Sequence, residues 1–117
     1  MKLLCKCGNQ VTTGLYPTKK WEFDKEAYHG GQYFITKGSF IELKSYAWDG
    51  RHSLAVNPSN IINCYVPEFK IGNGCCNNWG IPFYCGGCGE SLGWQSLDCH
   101  CNVYFEISTK KVNRSYK

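Results

Sequence analysis

The chain is built of short runs in which apolar and polar residues alternate, and glycines separate many of these runs. Alternation with a period of two predicts strands with one buried face. The clearest case covers residues 39–48 and 51–56, which are joined by Asp49-Gly50. An Asp-Gly pair supplies the positive φ angles of a two-residue type I′ turn. We therefore predict an antiparallel hairpin in which Phe40 and Glu42 share a face.

Further strands are predicted at residues 31–36, 61–66 and 102–108. The third of these is rich in β-branched and aromatic side chains, which favour strands. Only residues 21–29 have a helical pattern. Because no repeat, low-complexity tract or linker divides the 117 residues, we expect one mainly β domain over residues 1–117. Its last part, from about residue 109 to residue 117, is a basic tail.

The composition predicts a folded domain without a membrane partner. Hydrophobic residues make up 43% and aromatic residues 15% of the chain, which argues against disorder. The net charge of +4 lies partly in the tail, so it favours a nucleic-acid partner only weakly. No run of about 18 apolar residues could span a bilayer, and the start lacks the apolar stretch of a secretory signal. We therefore expect an intracellular, cytoplasmic protein, where cysteines bind metal more often than they form disulfides.

The nine cysteines carry the most specific chemistry, because eight of them lie in four tight groups while Cys64 stands alone. In Cys85-Gly-Gly-Cys88-Gly the glycines allow a tight turn whose amides point at both thiolates, and Cys5-Lys-Cys7-Gly has the same character. Two such knuckles suit a closed structural site for zinc. The predicted ligands are Cys5, Cys7, Cys85 and Cys88.

The remaining paired cysteines form a weaker candidate for a second zinc site. This set contains Cys75, Cys76, Cys99 and Cys101, with His100 as a substitute ligand. Adjacent cysteines seldom direct both sulfurs at one ion without backbone strain. Buried free thiols are an equally good interpretation. A measured zinc content of one per chain would rule out the second site.

The segment of residues 79–94 resembles Yippee-type domains and the ligand-binding (CULT) domain of cereblon, in which a Cys-x-x-Cys knuckle is followed by a small apolar residue, Gly and Trp. Here Cys88 is followed by Gly-Glu-Ser-Leu-Gly and Trp94. The N-terminal Cys5-Lys-Cys7-Gly is similar to the structural zinc motif of glutathione-dependent formaldehyde-activating enzymes. Both resemblances imply one fold, a β-tent of two antiparallel sheets pinned by a Cys₄ structural zinc.

The resemblance to cereblon implies a binding module in which tryptophans form a cage for a planar ring. Trp94 occupies the position of one wall, and Trp79, Trp48 and Tyr84 are candidates for the others. A cage of this kind attracts a uracil-like or imide ring, a nucleotide base or a modified protein end. Each tryptophan also has an ordinary interpretation as a core residue, which we prefer for Trp21. The expected partner is thus a small planar ligand or a protein.

Two other functions stay open. The resemblance to formaldehyde-activating enzymes suggests a glutathione-dependent carbon–sulfur lyase or a thiol-redox enzyme, but the catalytic Cys-x-Cys-x-x-Cys motif is missing and Cys99-His-Cys101 only imitates its beginning. Basic residues beside aromatic ones would suit a zinc protein that binds nucleic acid. We expect no enzymatic activity. A composition rich in Asn, Lys and Tyr is typical of a microbial or phage protein.

Overall fold

A computed structural model describes residues 1–26, 31–44, 52–66, 79–96 and 102–116, and of residues 44, 79 and 80 it describes the backbone alone. Strands dominate this part of the chain. They are β1 (Lys2–Cys5), β2 (Tyr16–Pro17), β3 (Glu22–Asp24), β4 (Gln32–Phe34), β5 (Ser39–Lys44), β6 (His52–Val56), β7 (Cys64–Tyr65), β8 (Trp79–Cys85), β9 (Ser91–Ser96), β10 (Tyr104–Ser108) and β11 (Val112–Ser115). A 3-10 turn covers Pro58–Asn60, and these residue ranges contain no α-helix.

The strands form one large sheet and two small ones. The large sheet has seven strands in the order β2-β5-β6-β10-β9-β8-β7, and β1 pairs with β11 while β3 pairs with β4. All pairs are antiparallel except β2 with β5, which is parallel. The prediction of a mainly β fold is therefore confirmed. Among the described residues, no helix is long and apolar enough to cross a membrane.

The hairpin predicted around Asp49-Gly50 exists as the antiparallel pair β5–β6, but its register differs from the predicted one. A two-residue turn at Asp49-Gly50 followed by regular pairing would place Lys44 opposite Ala55. The strands instead pair Lys44 with His52. The turn itself lies outside the described residues. Phe40 and Glu42 do lie two positions apart on β5, and so share a face as predicted.

The helical pattern predicted for residues 21–29 is wrong where the structure describes it. Glu22–Asp24 is strand β3, and Phe23 pairs with Tyr33 of β4. The two rings contact each other with their centroids 4.9 Å apart, so cross-strand packing outweighs the local helical pattern. The other three predicted strands, at residues 31–36, 61–66 and 102–108, contain the observed strands β4, β7 and β10, respectively.

The main core lies between the large sheet and the β1–β11 pair. Phe40, Val56 and Phe105 pair across β5, β6 and β10, so their side chains line one face of the large sheet. Leu3 of β1 and Val112 of β11 belong to the same buried cluster. Burial of this apolar face against β1–β11 supplies the hydrophobic stabilisation that holds the two sheets together.

A smaller cluster covers the opposite face of the large sheet. Ile35, Ile41 and Ala55 are buried there, and Trp21 packs against them. The ring of Trp21 meets Tyr104 edge to face, with centroids 5.5 Å apart. Trp21 thus has the ordinary core role that we preferred for it.

Candidate metal centre

Four thiols from two distant parts of the chain meet in one cluster. The Sγ atoms of Cys5, Cys7, Cys85 and Cys88 all lie within 4.8 Å of one another. The Cys5 and Cys88 sulfurs are 3.5 Å apart, and those of Cys7 and Cys85 are 3.7 Å apart. Sulfurs about 2.3 Å from a tetrahedral metal ion are separated by about 3.8 Å. The cluster therefore has the dimensions of a four-thiolate metal site, and the predicted ligand set is brought together.

The first knuckle forms where β1 ends at Cys5. The N–H of Gly8 donates to the carbonyl of Cys5 at 2.8 Å, and the N–H of Cys5 donates to the carbonyl of Asn9 at 2.8 Å. Gly8 has a φ of 96°, which L-residues with a side chain rarely adopt. The glycine after Cys7 is thus required to turn the chain back alongside β1.

The second knuckle repeats this arrangement where β8 ends at Cys85. The N–H of Gly89 donates to the carbonyl of Cys85 at 2.8 Å, and the N–H of Cys85 donates to the carbonyl of Glu90 at 2.9 Å. Gly89 has a φ of 75°. Both knuckles therefore turn the chain at the end of a strand, as the two Cys-Gly motifs predict, and each turn contains a glycine with positive φ.

Asn63, just before β7, connects the two knuckles. Its carbonyl accepts from the N–H of Gly86 at 2.8 Å and from Nδ2 of Asn9 at 3.0 Å, and its Nδ2 donates to the carbonyl of Gln10 at 3.0 Å. Asn63 has a φ of 53°, a conformation that Asn tolerates better than most residues. Sequence reasoning missed this residue. Its position two residues after Ile61, among strand-forming residues, carries no local signal of a contact with Gly86.

Hydrogen bonds make the Cys85 thiol more acidic than an ordinary cysteine. Burial opposes its ionisation, but the N–H of Cys88, the side-chain amide of Asn9 and the N–H of Gly87 together lower the pKa of Cys85 to about 6. Nδ2 of Asn9 and the N–H of Gly87 each lie 3.3 Å from its sulfur. Burial raises the pKa of the Cys5 thiol to about 12 without a metal ion. A bound cation would favour thiolates at all four positions.

The donor set indicates what the site can do. Four sulfur ligands complete a tetrahedral shell, so no position is left for water or substrate, which is typical of structural metal sites. Cys5 and Cys85 are buried, whereas Cys7 and Cys88 are exposed. The ion would thus lie at the surface end of the core and join β1 to β8.

Cys64 lies beside this cluster and does not belong to it. It pairs with Cys85 across β7 and β8, is half-buried, and packs against the main core. Burial, followed by the charge of Cys85, raises the pKa of the Cys64 thiol to about 11. Cys64 is thus an apolar neighbour of the site.

The proposed second zinc set and one cage residue cannot be placed. Cys75, Cys76, Cys99, Cys101 and Trp48 lie outside the described residues. The four-cysteine cluster described above is the group suited to a metal within the described ranges.

The predicted cage residues Trp94 and Tyr84 lie on one face of the large sheet. Trp94 pairs with Pro82, and Tyr84 is two residues further along β8. Phe83 and Cys85, which alternate with them, are buried on the opposite face. The irregular pairing at Tyr84 comes from Leu92, an additional residue in β9. Trp79 begins β8, where its backbone pairs with β9; its side chain is outside the described part.

Trp94 and Tyr84 each contact a side chain on a neighbouring strand. Nε1 of Trp94 donates to Oε2 of Glu106 at 3.0 Å. Burial raises the pKa of the Glu106 carboxyl, while the hydrogen bond from Trp94 opposes that shift. The ring centroids of Tyr84 and Tyr65, which is on β7, are 6.2 Å apart. We call the four side chains Tyr65, Pro82, Tyr84 and Trp94 the aromatic surface.

Comparison with known proteins finds no family model, no curated protein and no solved structure that matches the chain. The metal centre and the aromatic surface are therefore interpreted from their own chemistry.

Proposed function

We propose that the protein is a small binding module whose fold is stabilised by zinc. Its aromatic surface, beside the metal knuckle, would bind a planar ligand such as a uracil-like or imide ring. The observation that carries the proposal is the position of Tyr84. It directly precedes Cys85 on β8, yet it lies on the face that is only partly covered. The same strand would thus hold the metal on one face and a ligand on the other.

Zinc is the metal that we propose for the cysteine cluster. A tetrahedral set of four sulfurs suits zinc, which lacks a geometric preference of its own and binds thiolates tightly. A reducing compartment would keep the four thiols available for it. In the β-tent that we infer from the two knuckles, this ion pins the β1–β11 pair to the end of the large sheet.

The aromatic surface has properties that favour a planar ligand. Tyr65 is 63% exposed, and Tyr84, Pro82 and Trp94 are each half-buried, so parts of their rings face solvent. The hydrogen bond to buried Glu106 fixes the indole of Trp94. A ring held in this way loses little conformational entropy when a ligand stacks on it. A flat ring gains dispersion contacts and offset stacking from such a surface.

An enzymatic role for the metal is not part of the proposal. The four thiolates fill a tetrahedral shell, which leaves no place for a metal-bound nucleophile. The lyase-like alternative depends on cysteines outside the described residues, and the aromatic surface has no nucleophile paired with a base. Binding is the chemistry that these side chains support.

The test is a titration of the zinc-loaded full chain with uracil and with glutarimide, followed by tryptophan fluorescence. We expect saturable quenching by at least one of them and at least about tenfold weaker binding in Tyr84→Ala, because stacking on one ring contributes about 1–3 kcal/mol. Tyr33→Ala is the matched control, since Tyr33 is an exposed tyrosine on β4 and belongs to no proposed site. Absence of binding, or equal binding by Tyr84→Ala and the unchanged chain, would contradict the proposal.

A further inference from the structure

A groove of about 970 Å³ opens at the end of β1 and β11 that is remote from the cysteine cluster. Cys5 pairs with Val112 at the metal end, and Lys2 pairs with Ser115 at the groove end, about 10 Å further along β1. The residues that line the groove include Leu15, Tyr16, Lys19, Phe40, Arg114 and Tyr116. The metal centre and the aromatic surface contribute no residue to it, so it is a separate candidate site.

The floor of the groove is apolar and its rim is aromatic. Leu15 is 1% and Phe40 is 6% exposed, and both belong to the main core. Tyr16 and Tyr116 are each 77% exposed, the highest exposure among the large hydrophobic side chains described. Two rings with this exposure beside an apolar floor offer stacking faces for a planar group.

The charged groups of the groove favour an anion. Lys19 is exposed, and no described carboxylate pairs with it. Arg114 pairs with Glu42 through Nη2 and Oε1, 2.9 Å apart. The side chain of Arg114 also hydrogen-bonds that of Tyr116. A guanidinium has five N–H donors, so these two contacts leave others for a ligand. The lining therefore contains two side-chain cations against one carboxylate.

We propose that this groove binds a nucleotide, with the base against Tyr16 and the phosphate on Lys19 and Arg114. The apolar floor and the two rings would have no use in binding a free phosphate. An uncharged acyl chain would use the floor but would make no contact with the charge of Lys19. A groove of this volume is at the upper end of the range for small-molecule sites, about 300–1,000 Å³, and has room for a nucleotide.

The nucleotide site is tested by calorimetric titration of the zinc-loaded full chain with AMP, adenosine and inorganic phosphate. We expect AMP to bind, and adenosine and phosphate each to bind at least about fivefold more weakly, because each lacks one half of the recognised chemistry. Raising the salt concentration should weaken AMP binding, since both cations are near the surface.

Substitutions of lining residues test whether AMP binds in the groove. Tyr16→Ala and Lys19→Gln should each weaken AMP binding at least about threefold, since each removes one stacking or ionic contact. The matched controls are Tyr33→Ala and Lys37→Gln, an exposed tyrosine and an exposed lysine that do not line the groove and do not belong to the aromatic surface. These controls should bind AMP unchanged.

A short oligoadenylate distinguishes a free nucleotide from a nucleic-acid chain. Binding of the oligonucleotide at least about tenfold tighter than AMP would assign the groove to single-stranded nucleic acid, and equal binding would assign it to free nucleotides. The inference is overturned if AMP does not bind at millimolar concentration, or if Tyr33→Ala weakens binding as much as Tyr16→Ala. Because Tyr84 does not line the groove, failure here leaves the uracil and glutarimide titrations unaffected.

Discussion

The cysteine cluster and the aromatic surface are neighbours on β8, but they differ in almost every physical respect. Cys85 is 1% exposed and its thiol, N–H and carbonyl all have hydrogen-bond partners. Tyr84, the preceding residue, lies on the other face and shares its surroundings with the exposed ring of Tyr65. Alternation along one strand thus separates the cysteine cluster, which could hold a metal ion, from the surface that we propose as the ligand-binding site. Changes at the two places should therefore have separable effects.

The largest effect is expected for Cys85→Ser. Loss of one of four ligands should abolish tight metal binding and, with it, the stabilisation that the ion contributes to the fold. We expect the free energy of unfolding in the presence of zinc to fall by more than about 4 kcal/mol. Urea denaturation and the zinc content per chain measure the two effects.

Cys64→Ser is the control for that substitution, because Cys64 pairs with Cys85 on the neighbouring strand but is outside the four-sulfur cluster. It should keep the zinc. A similar loss of zinc in both variants would show that the ligand set is wrong.

The next effect concerns the strand pairing that supports Trp94. A Cβ at Gly93 would collide with the carbonyl oxygen of Glu106 on β10. Gly93→Ala should therefore separate β9 from β10 and lower the free energy of unfolding by about 3 kcal/mol. Gly14→Ala is the control, since no heavy atom lies within 4 Å of its added Cβ, and it should change stability by less than about 0.5 kcal/mol. Equal chemical denaturation midpoints for the two variants would contradict this packing.

A smaller effect is expected at Asn63, which connects the two knuckles. Asn63→Ala removes the hydrogen bond to Gln10 and places alanine at a φ of 53°, so we expect a loss of about 2 kcal/mol. Asn63→Gly removes the same bond but tolerates the backbone conformation, and should lose about 1 kcal/mol. Thermal unfolding of the zinc-loaded variants measures both values. If the glycine variant were the less stable of the two, the backbone argument would fail.

The smallest effect concerns pH and the residue that holds Trp94. Burial raises the pKa of Glu106 above its ordinary value of 4.5, so the folded state keeps its proton at pH values where the unfolded state has lost it. This group therefore makes the free energy of unfolding fall as pH rises above 4.5, until the folded carboxyl also ionises. Glu106→Gln can still accept from the indole and should remove that part of the slope. Denaturation at several pH values tests this; an unchanged slope would contradict it.

The sequence predicts the cysteines of the metal centre better than the residue that connects the two knuckles. Cys-Gly spacing is a local property, since the turn, the glycine with positive φ and the two sulfurs all lie within a few residues, as in Cys85 to Gly89. Asn63 holds both knuckles through long-range hydrogen bonds, and no local pattern predicts its partners.

Strand positions were also more predictable than their pairing. The β-branched and aromatic residues of β10 are enough to predict this strand. The register of β5 with β6 depends on how the apolar residues of both strands meet the core, so the predicted Asp-Gly turn did not determine it. The parallel pair of β2 with β5 brings together residues distant in the chain, which alternation alone cannot indicate.

Zinc-edge X-ray absorption of the purified full chain tests the central claim most directly, because it reports the atoms bound to the ion. The account predicts a first shell of four sulfur atoms at about 2.3 Å. A shell dominated by nitrogen or oxygen atoms would contradict the assignment of Cys5, Cys7, Cys85 and Cys88 as the zinc ligands.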